Sequence, residues 1–516
     1  MRKHTSLGLV FWAALVMALA VAPAALVAAP VQPVVGNWQG ALSNGAVRVI
    51  LHISQAPDGT LTGTLDSPDQ GATGIAISSI TYKDAVLHFE LERPAASYDG
   101  RMSQDSSEIA GDWKQGGASL SLTFKRKATS PSVQEPGTGS GNASSGATIA
   151  FEPYENLVYV PVRVNGSRTL QFVIDTGAYY SVLNESTARE IGLQPGPGEQ
   201  ASVGSGEGGA KLWHAKDISF ELGTSTIPSP DVVVLSLQDI ERISGRTIDG
   251  VLGADLFRRY VVEIDYTARR IRLFDPQTYV YDGHGKAISL TISGVPLAQA
   301  SVTLPGRKPV EGLFLIDTGS HSALGLNTPF VEKNSLLDGV KALSSSDVGI
   351  GGEWPKLIGR VQSLEFGDFA IDQPVTDFSQ AKSGARSNAM FSGIIGGAIL
   401  RRFTVIFDYS RHQMILEPNA GLKDSFVDDA SGLILSGEGA DFHTITVRRV
   451  LENSPAAETG LREGDVITAV AEKPGQGGSS LAEVREMLRR PGRVYTLSIA
   501  RGGHGLHLRI KTRQLI

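Results

Sequence analysis

Short apolar runs, broken by Gly, Pro, Asn and Asp, recur along most of the chain and read as β-strands. In residues 35–127, Val47, Val49, Leu51 and Ile53 alternate with polar residues, Pro57-Asp58-Gly59 supplies a turn, and Leu61, Gly63 and Leu65 resume the alternation. Further strand-like runs cover 75–82, 85–91, 109–113 and 120–125. Many short strands separated by turn residues predict an antiparallel meander closed into a sandwich or small barrel. Gly36-Asn37-Trp38 and Gly111-Asp112-Trp113 are expected to bring two tryptophans into its core.

From 148 to 420 the strand pattern occurs twice. Phe172-Val173-Ile174-Asp175-Thr176-Gly177-Ala178 returns as Phe314-Leu315-Ile316-Asp317-Thr318-Gly319-Ser320. In each copy a buried strand is expected to deliver a carboxylate to a tight turn. Asp249-Gly250-Val251-Leu252-Gly253 follows the first copy, and Ser392-Gly393-Ile394-Ile395-Gly396 follows the second, at separations of 253 − 175 = 78 and 396 − 317 = 79. Val203-Gly204-Ser205-Gly206 echoes Val348-Gly349-Ile350-Gly351, and the offset stays between 317 − 175 = 142 and 348 − 203 = 145. This is an internal duplication of one β-rich unit, with halves at 148–283 and 284–420. Each half is expected to open with a hairpin (turns at Asn165-Gly166 and Pro305-Gly306) and to close with another, 261–274 and 404–417.

The periodicity changes once more at 428–516. Leu481-Ala482-Glu483-Val484-Arg485-Glu486-Met487-Leu488 carries apolar residues at helical spacing, between strand-like runs at 444–450, 494–500 and 506–511. Residues 431–435 read as a strand-edge loop.

Outside these modules, residues 1–29 have the form of an export signal: Arg2, Lys3 and His4 precede an apolar stretch rich in Ala. The expected location is periplasmic or extracellular, with membrane attachment only if that segment is retained. Residues 128–147 are biased to Gly, Ser and Pro and read as a linker. The chain has no cysteine, which excludes a thiol nucleophile, thiolate metal sites and disulfides, so an exported chain must rest on its core. The net charge of −6, or −6 − 2 = −8 without the leading segment, argues against nucleic-acid binding.

Two Asp-Thr-Gly turns, each followed by a hydrophobic-hydrophobic-Gly element, resemble the pepsin/retropepsin superfamily of aspartic proteases in a single-chain, two-lobe form. Ser454-Pro455-Ala456, Gly460-Leu461 and Gly464-Asp465-Val466-Ile467 resemble bacterial PDZ domains. The fold class implied is mainly β: a small antiparallel module, a bilobal pair of acid-protease β-barrels, and a PDZ domain. The resemblance implies that Asp175 and Asp317 form one dyad and that Thr176 and Thr318 lock the two turns by bonding across them. It implies that Gly177 and Gly319 admit the tight turns, and that the runs around Gly204, Gly206, Gly349 and Gly351 form a flap over substrate. Two carboxylates about 3 Å apart share one proton, which suits activation of water for amide hydrolysis. Ser320, against Ala178 in the other half, is expected to donate to Asp317 and make it the ionised member.

Trp213 and Trp354 follow the glycine runs and line either subsites or the core. In the PDZ-like module, Gly432, Leu433 and Ile434 are expected to receive a peptide carboxylate on backbone N–H groups while the peptide adds a strand. Partners are then protein or peptide substrates and a PDZ ligand; no metal or organic cofactor is implied. The alternative is an inactive two-lobe peptide-binding or adaptor protein.

Overall fold

The structure is a computed structural model that describes residues 32–42, 47–56, 59–67, 72–92, 95–115, 118–126, 147–196, 199–201, 204–473, 476–478 and 480–516. The export segment, and the linker up to residue 146, lie outside the described residues. The described chain is mainly β, as the strand patterns predict.

The N-terminal module is a closed eight-stranded antiparallel barrel. Its strands run from Gly36–Leu42 to Ala118–Arg126, each paired with the next. The last closes on the first at Trp38 opposite Arg126 and Gln39 opposite Lys125. Alternation works as expected: Val49, Leu51 and Ile53 are buried, and so are Trp38 and Trp113. Tyr98 packs against Phe89 and Phe124, at ring separations of 5.3 and 5.1 Å, and its hydroxyl donates to the carbonyl of Ile109 at 2.9 Å. A buried phenol needs that partner, and its burial pushes the phenol well above its ordinary pKa.

The duplicated region forms two sheets of matching topology. In the first, Leu170–Ile174 runs parallel to Gly250–Leu252, with Ile174 opposite Leu252. In the second, Val310–Asp317 runs parallel to Gly393–Gly396, with Ile316 opposite Ile395. A third strand, Val182–Asn184 or Leu324–Leu326, pairs antiparallel with the Gly-containing element and parallel with a later strand. The Leu-Gly and Ile-Gly motifs are thus the flanking rails of the two Asp turns. Short helices, Ala254–Arg259 and Gly397–Leu400, follow each Gly.

The closing hairpins of the two halves join. Val261–Asp265 pairs antiparallel with Phe403–Asp408, Val262 opposite Phe407 and Asp265 opposite Thr404. The offsets 404 − 262 = 142 and 407 − 265 = 142 equal the spacing of the two Asp residues, so each strand meets its own counterpart about a local two-fold axis. Ala147–Ala150 and Lys286–Ser289 flank this six-stranded sheet. One continuous hydrophobic core runs through both halves, from Val160, Phe172 and Trp213 to Phe314, Leu364 and Phe407.

The last module is a five-stranded antiparallel sheet in the order Leu433–Glu438, Thr444–Val450, Val466–Lys473, Val494–Arg501, His504–Lys511, with Gln476–Gly478 paired beside the third strand. Residues 433–435, read above as part of a loop, belong to its edge strand, Leu433–Glu438. The helix Leu481–Leu488 starts at a capping box: Ser480 Oγ accepts from the N–H of Glu483 at 3.2 Å, and Glu483 accepts from the N–H of Ser480 at 3.0 Å. Leu481, Val484 and Leu488 pack from this helix onto Leu433, Leu435 and Ile445.

Candidate active site

The two Asp strands end facing each other. Thr176 and Thr318 are fully buried, and each threonine hydroxyl accepts from the other's backbone N–H at 3.0 Å. Each also donates to a carbonyl of the opposite strand, Thr176 to Ile316 at 2.6 Å and Thr318 to Ile174 at 2.8 Å. Four reciprocal bonds therefore tie together turns separated by 318 − 176 = 142 residues.

This lock sets the carboxylates side by side. Gly177 N–H donates to Asp175 Oδ1 at 2.7 Å, and Gly319 N–H to Asp317 Oδ1 at 2.9 Å. A β-carbon added at Gly177 would lie 2.8 Å from Cγ of Asp317, and one at Gly319 would collide with the Asp175 carboxylate. Each carboxylate thus rests over the other half's glycine, where any larger residue would push the pair apart. Asp175 and Asp317 are thereby set against one another, close enough for each to shift the other's titration.

Burial, the charge of Asp317 and the bond to it hold the Asp175 carboxyl well above the usual carboxylate range. Burial also raises Asp317, but the bond from Asp175, the Arg386 guanidinium and the N–H groups of Gly319 and Ser320 oppose it. These causes hold Asp175 further above the ordinary carboxylate range than Asp317, and the two carboxyls titrate as a pair. Ser320 contributes its backbone N–H; among the described residues its hydroxyl makes no hydrogen bond to Asp317.

The surroundings of the two carboxylates differ in chemistry. Behind Asp175 lies an apolar face of Tyr159, Val173, Val182, Leu212, Val233 and Val251. The Asp317 side holds buried charge. Lys356 Nζ is 2.9 Å from both Asp347 Oδ2 and Asp377 Oδ1, Ser322 donates to Asp377 at 2.8 Å, and His321 lies 3.8 Å from Asp347. Burial alone would raise Asp347 and lower Lys356, yet their mutual attraction reverses both shifts. Arg386 is buried, with its guanidinium 4.7 Å over the Trp354 ring.

None of Lys356, Asp347, Asp377 and Arg386 was singled out from the sequence. Strand parity offered one signal: Lys356 shares a face with buried Trp354, so a lysine there must find buried carboxylates.

The glycine runs of the two halves meet one another. Leu343–Gly349 and Gly352–Arg360 form a hairpin with Ile350 and Gly351 at its tip. From the other half, Gly206 N–H donates to Ile350 O at 2.9 Å and Gly208 N–H to Gly351 O at 2.8 Å. Ala385 N–H donates to Gly204 O at 3.0 Å. Ile350 packs onto the apolar face behind Asp175. Trp213 and Trp354 are both buried, Trp213 within the main core, which resolves that alternative for Trp213 in favour of packing.

The expected carboxylate-binding loop of the last module is already engaged. Asp429 accepts from the N–H groups of Ser431, at 3.0 Å, and of Gly432, and Ser431 Oγ accepts from the N–H of Leu433 at 3.2 Å. The expectation that Gly432, Leu433 and Ile434 stand open for a peptide carboxylate is corrected for two of the three: the Gly432 N–H is taken by the chain's own Asp429 carboxylate and the Leu433 N–H by the Ser431 hydroxyl. Burial pushes Asp429 up to about 6 despite these bonds. Among the described residues no group of His, Asp and Glu side chains is arranged to hold a metal ion.

Compared with known proteins, residues 160–256 match the family described as aspartyl protease, a span that contains Asp175 and Val251-Leu252-Gly253. Residues 446–501 match the PDZ domain family. No curated protein matches the chain.

Proposed function

We propose that the chain is an exported aspartic endopeptidase whose two halves build one catalytic dyad, Asp175 and Asp317. The observation that carries this reading is the facing carboxylate pair, each member set over the opposite half's glycine and held by the reciprocal threonine lock. The family matches support a peptidase with a PDZ module. The duplicated Asp-Thr-Gly turn supports a pepsin/retropepsin-like site, and the apolar leading segment supports export to the periplasm or beyond.

The dyad carries one proton and one charge, as hydrolysis of an amide requires. Ionised Asp317 takes a proton from water as the water oxygen attacks the peptide carbonyl carbon, and Asp175 gives its proton to the carbonyl oxygen. When the tetrahedral adduct collapses, the C–N bond breaks and the amine leaves with the proton held by Asp317. Asp175 recovers its own from the hydroxyl. The N–H groups of Gly177 and Gly319 keep both carboxylates in plane throughout, so little reorganisation is needed.

The test is digestion of an unfolded protein such as reduced casein by wild type, Asp175→Asn and Asp317→Asn, each shown to be folded by circular dichroism. Wild-type cleavage lost in both variants supports the proposal. Cleavage that survives either substitution, or a folded wild type inert from pH 3 to 8, would leave a peptide-binding or adaptor protein instead.

A further inference from the structure

The groove where a PDZ domain takes an added strand lies between its edge strand, here Leu433–Glu438, and the helix Leu481–Leu488. In this chain a segment of the first protease half is seated there. The helix Gln238–Ser244 lies against the edge strand. Arg485, on the groove helix, donates through Nη2 both to Leu435 O at 2.9 Å, on the edge strand, and to Ile243 O at 2.6 Å, on the seated segment. A β-carbon at Gly245 would lie 3.1 Å from Cβ of Leu481, and Arg242 reaches Glu438 at 3.3 Å. With Asp429 on the Gly432 N–H, both the loop and the groove of the peptide site meet other segments of the chain itself.

Two ion-pair clusters extend this contact towards the dyad. Glu155 pairs with Arg489 at 2.6 Å and Arg485 at 3.8 Å, and the neighbouring Asn156 donates to His321 O at 2.8 Å, one residue beyond Ser320. Glu353, beside the hairpin tip, pairs with Arg449 at 2.7 Å and Arg448 at 3.1 Å, on the strand next to the edge strand. The Glu353 carbonyl in turn accepts from Glu207 N–H of the facing loop at 3.3 Å. The 343–360 hairpin is therefore held beside its tip both by the PDZ sheet, through Glu353, and by the opposite half, through the bonds to Ile350 and Gly351.

We infer that the PDZ module is docked in cis, with residues 238–245 as its resident ligand, and that this docking latches the 343–360 hairpin shut. An extended peptide competing for the edge strand of residues 433–438 releases the latch and opens the cleft. The activity arm rests on the peptidase reading; the docking and exchange arms do not.

The chain's lack of cysteine makes the test clean. In the full-length Gly245→Cys/Leu481→Cys variant, a disulfide forms on mild oxidation if the segment is seated, since the two Cβ positions, 3.1 Å apart, need only separate by a few tenths of an ångström to reach the bridged range of about 3.5–4.5 Å. In a second variant, Arg448→Glu/Arg449→Glu/Arg489→Glu, each altered side chain faces a protease carboxylate and the latch should open. Hydrogen exchange is read on peptides covering 204–209 and 343–360, and turnover on casein.

Expected is near-complete cross-linking, exchange and turnover each raised about tenfold in the charge-reversed variant, and restoration by adding Glu155→Arg/Glu353→Arg. The oxidised variant is expected to turn over several-fold more slowly than its reduced form. Absent cross-linking, or charge reversal with wild-type exchange at both peptides, overturns the inference. Cross-linking and faster exchange with no turnover in any form sustains the latch and removes the peptidase reading alone.

Discussion

The threonine lock makes the sharpest prediction. Thr176→Val keeps the side-chain shape and removes two hydrogen bonds: acceptance from Thr318 N–H and donation to Ile316 O. Thr318 is fully buried, so water cannot replace the lost acceptor. An orphaned buried donor costs about 1–3 kcal/mol and a lost neutral bond about 1 kcal/mol more, so the local cost is about 2–4 kcal/mol. Hydrogen exchange by mass spectrometry, on peptides covering 170–182 and 312–324, measures this directly. Opening free energy reduced by that amount speeds exchange about 30- to 900-fold. Thr176→Ser retains the hydroxyl and is expected to stay within about tenfold of wild type. Equal exchange in the Val and wild-type chains, or equal losses in Val and Ser, would refute the claim that the cross-half bonds hold the turns together.

Lys356→Met leaves Asp347 and Asp377 buried without their cation and should cost about 3–5 kcal/mol, read by thermal or urea unfolding; a neutral result would mean that the triad is solvated. Both dyad carboxyls are raised, so turnover should climb as Asp317 ionises, fall as Asp175 loses the shared proton, and peak above the ordinary carboxylate range; a peak below pH 4 in the casein assay contradicts this. Asp429 is raised to about 6, so its contribution to stability is present below about pH 4 and is lost as pH rises through about 6. That loss is on the order of 3 kcal/mol, and Asp429→Asn should flatten the corresponding part of the stability–pH curve.

The strands and the equivalence of the two Asp-Thr-Gly turns were legible because both depend on local signals. Apolar alternation at Val49, Leu51 and Ile53 reports a strand face wherever the chain pairs, and the 142-residue repeat of Asp-Thr-Gly identifies two equivalent turns. The causes of the carboxyl shifts were not legible. The charge of Arg386 and the bonded N–H groups come from converging loops, whereas Ser320 drew attention as the one difference within the motif itself. Asp429 and the 238–245 segment were missed for a related reason. Strand and loop residues of the PDZ module show that a groove exists, but its occupant is set by long-range docking that leaves no periodicity. Glu155 and Glu353 look like ordinary turn and hairpin carboxylates until Arg489 and Arg449 arrive from elsewhere in the chain.

The central sheet carries a consequence for the ancestry and engineering of such a chain. Val262 faces Phe407 and Asp265 faces Thr404, so the seam between the halves is self-complementary in register as well as in position. A polypeptide holding only one half would expose that strand as an open edge, and the mate best suited to cover it is another molecule of the same kind. Fusion into a single chain removes the concentration dependence of that pairing and frees each copy to diverge, as the apolar and charged flanks of the paired acids have done.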